Sequence, residues 1–385
     1  MQIVSSMITR KSENEHIRAD TVIARENLPI VFLAAIYVGA GVVTESVLGL
    51  DGMMKLKWGY TFLNDLVIIF FVGFFGIQLL LRPPPLREGI RGLMRVLRTM
   101  RERYFTLERT GGFLLVYAII TPFQSTFTSF KEAIPLIQPF TWDQTFMELD
   151  YALHLGHHPW VLLQPLVGHP GVTRAIDFCY MLWFLLLFAF PLWMTWSAQR
   201  RLRSQFFISF ALVWIFLGTV LATLFSSAGP CYYTQVTGAE DPFAPLMAYL
   251  DSVHETSFLW AVKNQRGIWA AYVQGVHLPF GGISAMPSLH VAAAVLFALV
   301  GWQVHRWFGL VLAGYAVVIQ LGAVHLGWHY AIDSYFSALL TWLIWKATDR
   351  GLTIFGWEPA EGKQELRLRA QYAASTSAPS LRRYA

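Results

Sequence analysis

Charged residues are scarce in this 385-residue chain: Asp, Glu, Lys and Arg make up 14% of it, against roughly 25% in soluble domains. Apolar residues reach 55%, with 29 Phe and 15 Trp, and mean hydropathy is +0.46. A disordered chain needs the opposite balance and is excluded. An ordinary soluble enzyme is disfavoured on the same grounds. Cysteine is nearly missing: Cys179 and Cys231 are the only two, which excludes a disulfide framework and a four-cysteine zinc site. Period-2 alternation is also lacking, so the long apolar runs do not read as barrel strands. Residues 1–27 are polar and lead into no small-residue cleavage site, so no cleavable signal peptide is expected.

What is present is a series of apolar runs long enough to cross a bilayer as helices, each needing roughly 20 residues. They lie near 28–49, 60–81, 111–130, 176–197, 206–226, 286–303, 307–324 and 330–347. The expected fold class is all-α: a polytopic bundle of about eight transmembrane helices. Of the 29 Lys and Arg, 23 fall in the segments on one side of these spans and 6 on the other. By the positive-inside rule both termini are cytoplasmic. The basic excess therefore follows topology and does not mark a nucleic-acid patch. Arg87, Arg91, Arg95 and Arg98 share one helix face in the cytoplasmic loop, where they would touch anionic headgroups. The tail beyond Gly362 is Ala/Ser/Arg-rich and expected to be disordered.

Two outer loops are long, 131–175 and 227–285, and loops of that length are usually functional. The first contains Trp142, Asp143, Asp150, His154, His157, His158 and Trp160, among apolar residues spaced for one amphipathic helix on the outer leaflet. The second ends Gly281-Gly282-Ile283-Ser284-Ala285-Met286-Pro287-Ser288-Leu289-His290. The two glycines read as a flexible approach. Pro287 suits a first helical turn, and Ser284 or Ser288 can cap it. The apolar helix that follows turns its free N–H groups toward the outer interface, which makes an anion site with His290 in its first turn. A second cluster, His325-Leu326-Gly327-Trp328-His329-Tyr330-Ala331-Ile332-Asp333, begins another span on the same side. His329 and Asp333 are spaced i, i+4 and can pair if helical. A charge at that depth needs a partner or a polar cavity. From spacing alone the set reads as a site of His290, His329 and Asp333, as a zinc site using His290, His325 and His329, or as the proton relay of a transporter.

Met286-Pro287-Ser288-Leu289-His290 resembles the Pro-Ser-x-His motif of the type 2 phosphatidic acid phosphatase superfamily, and His329 to Asp333 resembles its later His-x-x-x-Asp motif. The resemblance covers roughly 111–348. It implies a six-helix catalytic core there, preceded by a cytoplasmic segment (1–27) and by two accessory helices with a basic loop (28–110), and followed by a cytoplasmic tail (349–385). Two features of the superfamily's phosphatases are missing. The only Arg-Pro, Arg82-Pro83, lies on the cytoplasmic side, with Phe75 where the early Lys-x6-Arg-Pro motif has lysine. Gly322-Ala323 stands where Ser-Arg would precede the last motif. That combination is similar to the inositol phosphorylceramide synthase branch (the aureobasidin-resistance proteins) and to sphingomyelin synthases, and Gly229-Pro230-Cys231-Tyr232-Tyr233 adds to the likeness.

The resemblance implies phosphoryl or phosphodiester transfer through a phosphohistidine. His329 would be the nucleophile, Asp333 its orienting partner, and His290 the general acid and then base. Backbone N–H groups near Ser288, with Lys131, Lys263 and Arg266 as the outer cations, would hold the phosphate. No metal and no cofactor is expected. The partners would be a phospholipid donor and a lipid-alcohol acceptor, with water as acceptor in the alternative phosphatase. The protein would be a multi-pass protein of the plasma or inner membrane, its site on the non-cytoplasmic face.

Overall fold

A computed structural model describes residues 27–49, 62–81, 86–197, 199–278 and 281–356. The segment 1–26, the Pro83-Pro84-Pro85 run and the tail 357–385 lie outside the described residues. The helices are α1 (Asn27–Leu48), α2 (Phe62–Leu81), α3 (Gly89–Tyr104), α4 (Leu107–Ile137), α5 (Asp143–Leu153), α6 (Pro159–Val167), α7 (Pro170–Thr195), α8 (Arg200–Leu224), α9 (Ala244–Thr256), α10 (Trp260–Gln274), α11 (Leu289–Val304), α12 (Arg306–His325) and α13 (Ala331–Ile354). No strand occurs among the described residues. Five of these helices, α1, α4, α7, α8 and α12, are long and apolar enough to cross a membrane; α11 and the Val67–Leu81 part of α2 are shorter apolar helices. Within the described residues each run read as a span from the sequence contains a helix, and the chain is an integral membrane helical protein.

The centre of the bundle is α11. Ala292, Ala293, Ala294, Leu296 and Phe297 are fully buried, so this helix is apolar all round, as a helix without an exposed face must be. Helices α7, α8, α12 and α13 pack around it. Helix α8 turns π-helical over Val213–Leu221, a departure that recurs next to functional sites. Helix α1 joins the bundle through Tyr37, whose ring lies 5.0 Å from Phe123 and whose hydroxyl is 2.6 Å from Thr219 Oγ1. Helix α3 keeps Arg95 and Arg98 on its polar side, paired with Glu88 and Glu102 at 3.0 and 2.9 Å.

One connecting segment differs from the sequence expectation. The segment 142–170 is two helices, α5 and α6. Leu155 and Gly156 adopt left-handed backbone (φ 58° and 79°) and end the first, and Pro159 opens the second at its first turn. Nor does α5 simply lie on the leaflet, because Asp143, Phe146 and Asp150 on it are buried.

The charge count and the exposed positions together fix a labelling test. With Cys179 and Cys231 replaced, a cysteine at exposed Ala239 is expected to react with an impermeant thiol reagent added from outside, and one at exposed Gln199 only after permeabilisation. The reverse pattern would invert the orientation.

Candidate active site

Three separate pieces of chain build the site, and hydrogen bonds among their backbones hold them in register. Asp143 is fully buried at the start of α5. Its carboxylate accepts from Ala228 N (2.8 Å), Gly229 N (2.8 Å) and the Tyr330 hydroxyl (2.9 Å). The neighbouring Ser227 receives Ala285 N on its carbonyl (2.9 Å) and Met286 N on its hydroxyl (3.1 Å). Asp150 accepts from Ala331 N (2.6 Å) and Ile332 N (2.9 Å), so a carboxylate from α5 caps the start of α13. Burial pushes both carboxyls above the ordinary range, and these donors act against it. Asp177 does the same for α10, accepting from Trp260 N and Ala261 N at 2.7 and 2.9 Å. Asp177 has a single signal in the sequence, a carboxylate inside an otherwise apolar helix.

The structure brings His290 and His329 together, with ring centroids 6.1 Å apart. His290 follows Ser288, which caps α11 by accepting from Val291 N at 3.5 Å. The His290 ring lies against Trp183 (4.2 Å) and Tyr180 (4.5 Å), both from α7. Its carbonyl accepts from Trp183 Nε1 at 3.0 Å. His329 is in the turn before α13, not on the helix. Its backbone N and that of Trp328 both donate to Ala323 O at 3.0 Å.

The expected partnership of His329 with Asp333 takes a different form. Nδ1 of His329 is 2.8 Å from the carbonyl oxygen of Ala285 and 3.4 Å from Asp333 Oδ2. A carbonyl only accepts, so Nδ1 carries the proton and Nε2 holds the lone pair. Asp333 Oδ2 also receives Tyr330 N at 3.1 Å. Burial holds the His329 imidazole down at about 3, and the Lys131 ammonium pushes the same way, against the Ala285 carbonyl. The ring is neutral, as a nucleophile requires. A backbone carbonyl leaves no residue signature, which is why the spacing pointed to Asp333 alone.

A cavity of about 150 Å³ joins His290, His329 and Lys131. Ser284 and Pro287 line it, and Phe127, Phe184, Leu187 and Trp214 add apolar wall. Among the described residues Lys131 is the only Lys or Arg lining it. The glycine approach is not slack. Gly282 has φ +90°, and a Cβ there would stand 2.9 Å from the Lys131 backbone, so the loop is pressed onto α4 beside the lysine. Arg266 and Lys263, the other expected phosphate cations, do not line the cavity. Both are exposed: Arg266 pairs with Asp251 at 3.0 Å, and Lys263 sits over the Trp260 ring at 5.1 Å. Nor does His325 line it; it is buried, with Nε2 2.9 Å from Thr173 Oγ1. Among the described residues no group of three or more His, Cys, Asp or Glu is arranged to hold a metal ion, so the zinc set is not assembled.

The family model described as the PAP2 superfamily matches residues 144–347, just over half of the chain. No curated protein and no solved structure matches.

Removing the Asp143 carboxylate tests the scaffold. Asp143→Ala leaves two buried amides and a hydroxyl unpaired and should lower stability by about 2–5 kcal/mol, read by thermal unfolding in detergent. Asp143→Ala with an unchanged unfolding curve would show that the three pieces hold together without it.

Proposed function

The chain belongs to the PAP2 superfamily, and we propose that it moves a phospho-headgroup from one membrane lipid to the hydroxyl of another through a phosphohistidine on His329. Membership supports phosphatase or phosphotransferase chemistry on lipid phosphates. The observation that carries the finer reading is the Ala285 carbonyl on Nδ1, which leaves the Nε2 lone pair of a neutral ring beside His290. In the first step Nε2 attacks phosphorus, and His290 gives its proton to the departing lipid oxygen. In the second His290 takes the proton of the acceptor hydroxyl, whose oxygen attacks phosphorus and frees His329. Lys131 and the first N–H groups of α11 serve the phosphoryl oxygens; Ser288, expected among them, is fully buried, does not line the cavity and acts as the cap of α11.

Transfer is favoured over hydrolysis by the site's charge and lining. The arginine that the resemblance would put at Ala323 has no place there: Ala323 is fully buried, and at Gly322 a Cβ would already stand 3.0 Å from Ile176 and Tyr180. With one cation among its described lining residues and largely apolar walls, the cavity suits a phosphodiester and a lipid alcohol better than a dianionic monoester and water. A phosphoinositol headgroup and a ceramide-like acceptor, as in the inositol phosphorylceramide synthase branch, fit this chemistry.

Trapping with a donor labelled in its phosphate tests the roles. Wild type and His325→Ala should yield acid-labile phosphoprotein, and His329→Ala none. His290→Ala should form it roughly 10²–10⁴-fold more slowly. Asp333→Asn should still form it, at a reduced rate, because Ala285 continues to hold Nδ1. Label retained by His329→Ala would overturn the nucleophile. Release of the label as inorganic phosphate in the presence of lipid alcohol would make the protein a phosphatase.

A further inference from the structure

Helix α7 turns three polar side chains toward the cavity region, and two of them are occupied. Asp177 caps α10, and Trp183 Nε1 donates to the His290 carbonyl. The third, Tyr180, is 3% exposed, lines the cavity, and its hydroxyl has no hydrogen-bond partner among the described residues. Its ring is fixed on both sides. One face stacks on His290 at 4.5 Å and 22°, and the edge meets α12 at Gly322, where a Cβ would be 3.0 Å from Cδ2. A buried hydroxyl without a partner costs about 1–3 kcal/mol, and native proteins rarely leave one. Trp328 repeats the pattern one residue before His329: its indole N–H is buried, unpartnered among the described residues, and borders the same cavity.

We propose that the Tyr180 hydroxyl contacts the substrate, donating a hydrogen bond to a phosphoryl oxygen in the cavity, with the Trp328 indole N–H as a second neutral donor. The proposal rests on the reading of this cavity as a phosphoryl-transfer site. A transferring phosphoryl group presents three acceptor oxygens whose charge shifts during the reaction, and fixed donors aimed at them stabilise that shift. Among the described residues Lys131 is the one cationic side chain lining the cavity, so uncharged donors supply the remainder. The stacked ring also ties the donor to His290: the group that would bind the phosphoryl oxygen and the group that would protonate the leaving oxygen move as a unit.

Tyr180→Phe is the test, because it keeps the ring against His290 and Gly322 and removes only the hydroxyl. Full-length protein in detergent is compared with wild type in three measurements: unfolding temperature, turnover of a labelled lipid phosphodiester, and binding of orthovanadate as a tetrahedral oxyanion. The expected result is an unfolding temperature equal to or above wild type, kcat reduced by about 10²–10³-fold, and vanadate binding weakened by about tenfold or more. A variant that unfolds earlier but turns over and binds vanadate like wild type would show that the hydroxyl serves the fold, for example through Asp333 Oδ1, which likewise has no partner among the described residues; that result overturns the proposal. Wild-type protein that binds vanadate through Tyr180 yet transfers no headgroup would retire the transferase reading and leave this assignment standing. Normal headgroup transfer in both proteins would retire only this assignment.

Discussion

The site depends on one buried carboxylate. Asp143 receives two backbone amides of the 226–229 turn and the hydroxyl of Tyr330. The turn it holds carries Ser227, which in turn holds Ala285 and Met286. Ala285 presents the carbonyl that sets the His329 ring. The path from Asp143 to the candidate nucleophile is thus three hydrogen-bonded steps, each involving backbone groups. A charged group at such a position is tolerated only because its donors replace water. Removing it strands them. Asp150 and Asp177 repeat the device at the starts of α13 and α10, so the loops and short helices at this end are fastened to the bundle by carboxylates set on helix N-termini.

This arrangement answers a difficulty specific to membranes. The loops at this end of the bundle connect spans that must be apolar, and irregular backbone near the bilayer needs internal partners for its amides. Carboxylates accept several at once. The same economy appears at His329, whose turn donates two amides to the single carbonyl of Ala323. Fixing the turn fixes the ring, and fixing the ring distinguishes its two nitrogens, Nδ1 being bound to the Ala285 carbonyl.

Much of this was legible in the sequence. The spans followed from apolar run length, and the pairing of His290 with His329 from topology, since both begin spans on one side. Two kinds of information were hidden. The first is backbone chemistry: the Ala285 carbonyl does for His329 Nδ1 what the spacing assigned to Asp333, and no residue type announces it. The second is the direction of side chains in the outer layer. Arg266 and Lys263 have the right charge on the right loop, yet α10 directs them to Asp251 and to Trp260, leaving Lys131, the cation on the helix that passes the site. The one-helix reading of 142–170 failed because its apolar spacing was counted across Leu155 and Gly156, where the backbone turns left-handed.

The central claim is that the protein commits Nδ1 of His329 to Ala285 and leaves Nε2 for phosphorus. Phosphorus-31 magnetic resonance of the trapped, denatured phosphoprotein distinguishes the two phosphoramidates, and peptide mapping places the residue. The account predicts phosphate on Nε2 of His329. Phosphate on Nδ1, or on any other histidine, would contradict it.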